Sequence, residues 1–149
     1  MALKATFLRT SFILGLCAGL AACDGYRLSI NEQAIGPQPD IFKAYDIPDK
    51  NLRQCVSRKL QDESVQHAGQ LDYLNCSHEK ISDLTGLAVF VSLAQIDLSA
   101  NSIKDPSELG QISQLKLVKL SDNPGLDCSR VNALRLQKGM KIEAKQCPE

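Results

Sequence analysis

Three leucines, Leu71, Leu93 and Leu115, stand 22 residues apart, and their surroundings recur with the same step. The segments read LDYLNCSHEKISDLTGL, LAQIDLSANSIKDPSEL and LKLVKLSDNPGL. Leu71, Leu74, Cys76 and Ile81 align with Leu93, Ile96, Leu98 and Ile103, and again with Leu115, Val118 and Leu120. A serine follows the third apolar position each time, at Ser77, Ser99 and Ser121, and Asn101 and Asn123 share one position. Self-similarity at a fixed period means that one supersecondary unit is used several times, each unable to bury its apolar side except against its neighbours. Alternate residues of a strand face opposite sides. The residues between the apolar ones, at 73 and 75 in the first segment, are therefore expected on the opposite, outward side.

The pattern resembles the leucine-rich repeat, L-x-x-L-x-L-x-x-N-x-L, in its short internalin-like class, over about residues 71 to 126. The resemblance implies an α/β repeat fold: a short leucine-rich repeat solenoid of about three rungs, with an N-terminal helical cap and a C-terminal cap. The repeats fall at about 71–92, 93–114 and 115–128, within a domain spanning 49–149. In this family the asparagine amide bonds exposed backbone of adjacent turns in a ladder. Glu79 stands at the first such position, so the ladder is not expected to reach that edge. Gly125 replaces the isoleucine of Ile81 and Ile103, and Asn123-Pro124-Gly125 reads as a tight turn with Leu126 supplying the apolar contact.

The flanks supply candidate caps. Asp49 can cap a helix, and Leu52, Cys55, Val56 and Leu60 make one apolar helical stripe. Val131, Leu134 and Lys138 give a helical face, after which Met140, Ile142 and Ala144 alternate like a short strand. On the concave side that the resemblance implies, Tyr73, Gln95 and Leu117 form one outward column, Asn75, Asp97 and Lys119 a second, and the three serines a third. Asp97 and Lys119 are expected as lateral neighbours of opposite charge. Tyr73 and Leu117 favour partner binding, since aromatic anchors are enriched at hot spots.

The N-terminus has a different character. Lys4 and Arg9 are its only charges, and Phe12 to Cys23 is a run of 12 residues without a charged or strongly polar side chain. That is too short for a membrane-spanning helix, which takes about 20 residues. The profile is that of a secretory signal at 1–22. Leu20-Ala21-Ala22-Cys23 resembles the lipobox of bacterial lipoproteins, which implies cleavage before Cys23 and its acylation, with palmitate among the chains. Ordinary cleavage after Ala21 is the competing reading, and it leaves Cys23 an unexplained thiol. Asp24 resembles an inner-membrane retention signal of enterobacterial lipoproteins, but the residues leave inner and outer membrane both open. Residues 23–48, with three prolines and little periodicity, read as a tether. The expected location is the cell envelope, lipid-anchored and facing the periplasm.

Loss of Lys4 and Arg9 with the signal leaves 15 basic against 17 acidic residues, a formal charge of −2. That argues against a nucleic-acid partner. Of six cysteines, Cys17 leaves with the signal and Cys23 is assigned to lipid, so Cys55, Cys76, Cys128 and Cys147 remain for disulfides in an oxidising compartment. Four cysteines allow three connectivities. The cap architecture implied by the repeat resemblance selects Cys55–Cys76 and Cys128–Cys147, one at each end. Neither a C-x-x-C pair nor a G-x-S-x-G, P-loop or H-E-x-x-H motif is present, so neither metal, cofactor nor enzymatic activity is expected. Two function classes are carried forward. One is a membrane-anchored, protein-binding lipoprotein; the other is a structural or accessory envelope lipoprotein without a selective face.

Overall fold

Short apolar triplets spaced by 22 residues are placed side by side when the chain between them makes one complete circuit. The computed structural model, which describes residues 28–30, 33–35, 41–137 and 140–148, shows this arrangement. Strands Tyr73–Asn75 (β3), Gln95–Asp97 (β4) and Leu117–Lys119 (β5) pair in parallel with Tyr73 beside Gln95 and Gln95 beside Leu117. A fourth strand, Lys141–Glu143 (β6), pairs in parallel with β5, giving the order β3-β4-β5-β6. Leu74, Ile96, Val118 and Ile142 point inward and are buried. Two helices complete this unit: α1 at Lys50–Asp62 and α2 at Cys128–Arg135.

The expected solenoid of about three rungs between separate caps is corrected by this arrangement. From residue 41 onward the described residues form a small four-stranded, all-parallel sheet with two α-helices. The segment expected to close the C-terminal end is itself the fourth strand of the sheet. The returns between strands are not uniform: 3-10 turns at Leu87–Val89 and Ser107–Gln111 follow β3 and β4, whereas α2 follows β5. Counting leucines missed β6 because its step is not 22: Leu117 pairs with Lys141, 24 residues on, and Lys141-Ile142-Glu143 contains no leucine.

The chain divides into two units, Met1–Gln38 and Pro39–Glu149. In the first, Leu28–Ile30 (β1) and Gln33–Ile35 (β2) pair antiparallel. Cys23, expected to carry lipid, lies outside the described residues, as do the signal segment and Lys138. No described helix is long and apolar enough to cross a membrane. The last residues of the expected tether belong to the second unit. Ile47 is fully buried, and Ile41, Phe42 and Tyr45 pack on the core. Phe42, Tyr45 and Phe90 form an aromatic trio with centroids about 6 Å apart. Gly86 lets this strap pass: it holds φ +93°, and a Cβ there would lie 2.1 Å from the Asp46 carbonyl oxygen.

Helix α1 forms where the stripe predicts. Leu52, Cys55, Val56 and Leu60 are its buried face, and Asp49 caps it by accepting from Asn51 and Leu52 N–H at 2.9 and 3.0 Å. The second Asp49 oxygen reaches across to the first strand turn, accepting from Ser82 and Asp83 N–H. Asp127 caps α2 in the same way, and Val131 and Leu134 are that helix's buried side. Disulfides join Cys55 to Cys76 and Cys128 to Cys147, with Cα separations of 5.8 and 5.2 Å. Both pairings match the sequence expectation.

At the strand exits the backbone turns left-handed at His78, Ala100 and Asp122, with φ of 61°, 56° and 60°. None is glycine, and such a conformation costs about 1–2 kcal/mol at each. Hydrogen bonds offset that cost: His78 N–H donates to Ser99 C=O and Ala100 N–H to Ser121 C=O. The turns are also joined by buried asparagines. Asn101 Oδ1 accepts from Glu79 and Ile81 N–H, and its Nδ2 donates to Cys76 and Leu98 C=O. Asn123 repeats this toward Ile103 N–H and the Leu98 and Leu120 carbonyls. Glu79, at the position without asparagine, is instead salt-bridged to Arg58 of α1.

Candidate binding face of the parallel sheet

The inward set Leu74, Ile96, Val118 and Ile142 dictates what the other side of each strand presents. Tyr73, Gln95 and Leu117 stand in one row across the sheet, and Asn75, Asp97 and Lys119 in the next. All six expected binding residues are thus brought together on one solvent-facing surface. Tyr73, Asn75 and Gln95 are exposed; Asp97, Leu117 and Lys119 are half-buried. The rows continue onto β6 with Lys141 and Glu143, which sequence reasoning did not assign to the face. The signal was present in the Met140, Ile142, Ala144 alternation, which sends the intervening residues outward.

A shallow depression of about 380 Å³ lies in this face, lined by Asp72, Tyr73, Gln95, Asp97, Leu117 and Lys119 among others. Its wall at the β3 edge is the Tyr73 ring, 41% exposed, with Lys59 of α1 placed 5.1 Å from the ring centroid. That cation holds one side of the ring and leaves the rest of it to solvent. On the floor, the expected lateral pair is present: Lys119 Nζ lies 3.4 Å from Asp97 Oδ2. Lys141 and Glu143 pair at 2.8 Å on the next strand. Exposed pairs of this kind contribute little to stability, so their main effect is to fix side-chain positions.

Asp97 is also anchored from below. Partial burial works to raise its pKa but is outweighed by hydrogen bonds from the Ser99 N–H and hydroxyl and by Lys119, so its carboxyl is held below the usual range. Ser77 N–H donates likewise to Asn75 Oδ1, so two of the three second-row side chains are braced by the serine that follows. Glu143 is held below its usual range by Lys141 beside it, with a smaller effect from Lys119. The third serine differs: Ser121 Oγ contacts Glu143 C=O at 3.5 Å and Lys145 N–H at 3.4 Å. Chemically, the face offers one aromatic edge, one aliphatic patch and fixed charges of both signs. Among the described residues, no group of three or more His, Cys, Asp or Glu could hold a metal ion.

No family model matches the chain, and no curated protein matches it. Among solved structures it is similar to CBM51-2 in complex with GlcNAc and INT domains from Clostridium perfringens ZmpB, at 21% identity over 58% of this chain and a TM-score of 0.40. It is similar also to CBM51-2 and INT domains from the same protein, at 20% identity over 59% of this chain and a TM-score of 0.41. This chain covers 20% of each of those chains. At that level of superposition neither their fold nor their ligand transfers to it.

Proposed function

We propose that this chain is a lipid-anchored envelope protein that uses the solvent face of its parallel sheet to bind another protein. The observation that carries the binding half is the row of Tyr73, Gln95 and Leu117 beside the braced row of Asn75, Asp97 and Lys119. Side chains set in place by neighbouring strands lose little freedom on docking, and pre-organisation lowers the cost of association. An exposed tyrosine flanked by hydrogen-bonding groups suits a protein surface of mixed polarity. The anchoring half rests on Leu20-Ala21-Ala22-Cys23 and on an apolar run too short to span a bilayer. Acylated Cys23 ties the chain to membrane lipid.

Crosslinking in the native envelope tests the binding half. A captured protein that is lost from Tyr73→Ala and Asp97→Lys variants, with folding unchanged by circular dichroism, supports it. Capture that both variants leave intact, or no captured protein, removes it in favour of an accessory role without a selective face. Labelling with radioactive palmitate tests the anchor independently. The label disappears from Cys23→Ser if the lipobox reading holds; equal label in variant and wild type overturns it.

A further inference from the structure

The outer edge of β6 carries a self-complementary pattern. Successive residues of a parallel strand send their backbone groups to alternate sides. Lys141 N–H donates to Lys116 C=O at 2.7 Å, and Glu143 C=O accepts from Leu120 N–H at 2.8 Å, so those groups face β5. The Ile142 N–H and C=O therefore point away from the sheet, where β6 is the last strand. No described residue bonds them. Beside them lies an open depression of about 510 Å³ whose lining includes Arg135, Leu136 and Met140. Leu136 is 88% exposed, and the Arg135 Nε is buried without a hydrogen-bond partner.

An unpaired edge of this kind is a template for another strand, and the charges specify which one. We infer that β6 pairs antiparallel with β6 of a second copy of this chain, about a two-fold axis at Ile142, joining two four-stranded sheets into one. In that register the two Ile142 residues exchange both backbone hydrogen bonds. Each Ala144 N–H then reaches the partner's Met140 C=O. Lys141 stands opposite the partner's Glu143, and Glu143 opposite the partner's Lys141, on the solvent face. Directly opposed side chains of a non-hydrogen-bonded pair are the closest across such a ladder, so these contacts select the register. Sliding the strands by two residues one way opposes Lys141 with Lys145 and Glu143 with Glu143. Sliding the other way opposes Lys141 with Lys141. A parallel pairing in register sets lysine against lysine and glutamate against glutamate. Of these registers, only the one centred on Ile142 matches opposite charges, and Leu136 and Met140 give it apolar cover at the flank.

Sedimentation velocity of the full chain in mild detergent tests the pairing through a charge exchange. Wild type is expected as a dimer. Lys141→Glu alone and Glu143→Lys alone each oppose like charges at two places, and each is expected to weaken dimerisation about tenfold or more. Mixing the two variants restores attraction at both places, so a one-to-one heterodimer is expected. Circular dichroism of each variant reports whether folding is intact, and recovery in the mixture cannot come from unfolded chains. A monomeric wild type, whose edge would then await a strand of another protein, overturns the proposal. So does a dimer that both single variants leave unchanged, or a mixture that stays monomeric.

Discussion

At the β3 edge of the sheet, α1 buries four residues of one stripe and Asp49 spans to the first strand turn, while the Phe42–Tyr45–Phe90 trio packs on the core. At the β6 edge a disulfide of nearly equal span is present, yet Ile142 turns its backbone outward and Leu136 lies in solvent. Both ends are therefore tied, but only one is covered. A covalent tie chiefly restricts the unfolded chain, whereas cover removes apolar surface and edge hydrogen-bonding groups from water. The contrast shows that the disulfides do not by themselves finish the ends of this sheet.

The strongest test of that contrast is truncation at each end. Phe90 is fully buried in the aromatic trio, and Phe90→Ala is expected to lower unfolding free energy by about 3–5 kcal/mol. Leu136→Ala, at the other end, is expected to change it by no more than about 0.5 kcal/mol when measured in the unpaired chain. Denaturant melts of both variants measure the difference. Equal losses would mean that the two ends are covered alike.

Removing the disulfides separates tying from covering. The bridged residues are 21 and 19 positions apart, so loop entropy assigns each bond the same contribution, about 3 kcal/mol. Cys55→Ala with Cys76→Ala and Cys128→Ala with Cys147→Ala should then lose similar amounts in melts. Their accessibility differs: Cys55 and Cys76 are buried, while Cys128 is half-exposed. Under limiting reductant, alkylation mapped by mass spectrometry should find Cys128 and Cys147 modified first. Opening of Cys55–Cys76 first would place the weaker cover at the β3 edge.

How much of this contrast was legible in the sequence follows from how each part is encoded. The 22-residue step carried the register of Tyr73, Gln95 and Leu117, and with it the six face residues, because a strand shows one side chain in two to each face. The α1 stripe was legible for the same reason, whereas spacing left three pairings of the four cysteines open and only the end caps implied by the repeat resemblance chose between them. The β6 strand was legible as a strand but not as part of the sheet, since its 24-residue step breaks the count. The strap at 41–47 was hidden among prolines, where its few apolar residues show no period and their burial depends on Gly86, 39 positions beyond Ile47. Gln146, which donates to Leu120 and Asn123 C=O at the β6 end, has no counterpart in the repeats that could have announced it.

A smaller effect than loss of a disulfide is expected at Asp49, the group that joins α1 to the first strand turn. Burial works to raise its pKa, but hydrogen bonds from Leu52, Ser82 and Asp83 outweigh it and hold the carboxyl below its usual range. A depressed folded pKa means that this stabilisation is complete above the ordinary carboxylate range and is lost as pH falls through the folded value. Asp49→Ala should cost about 1 kcal/mol at neutral pH, as for other helix N-caps. The deficit relative to wild type should shrink below about pH 4. Melts across pH 3 to 7 read this directly, and a deficit that grows on acidification would contradict the assignment.

The asparagine amides described above also govern how the interior meets water over time. The amide protons of Ile81 and Ile103 end on side chains whose other bonds hold the carbonyls of two adjacent turns. Neither proton can be released by fraying one turn, because the amide that holds it is pinned from both sides. Their exchange with deuterium is therefore tied to collective opening of neighbouring turns. Two buried asparagines thus make the turns after β3, β4 and β5 open together rather than one by one.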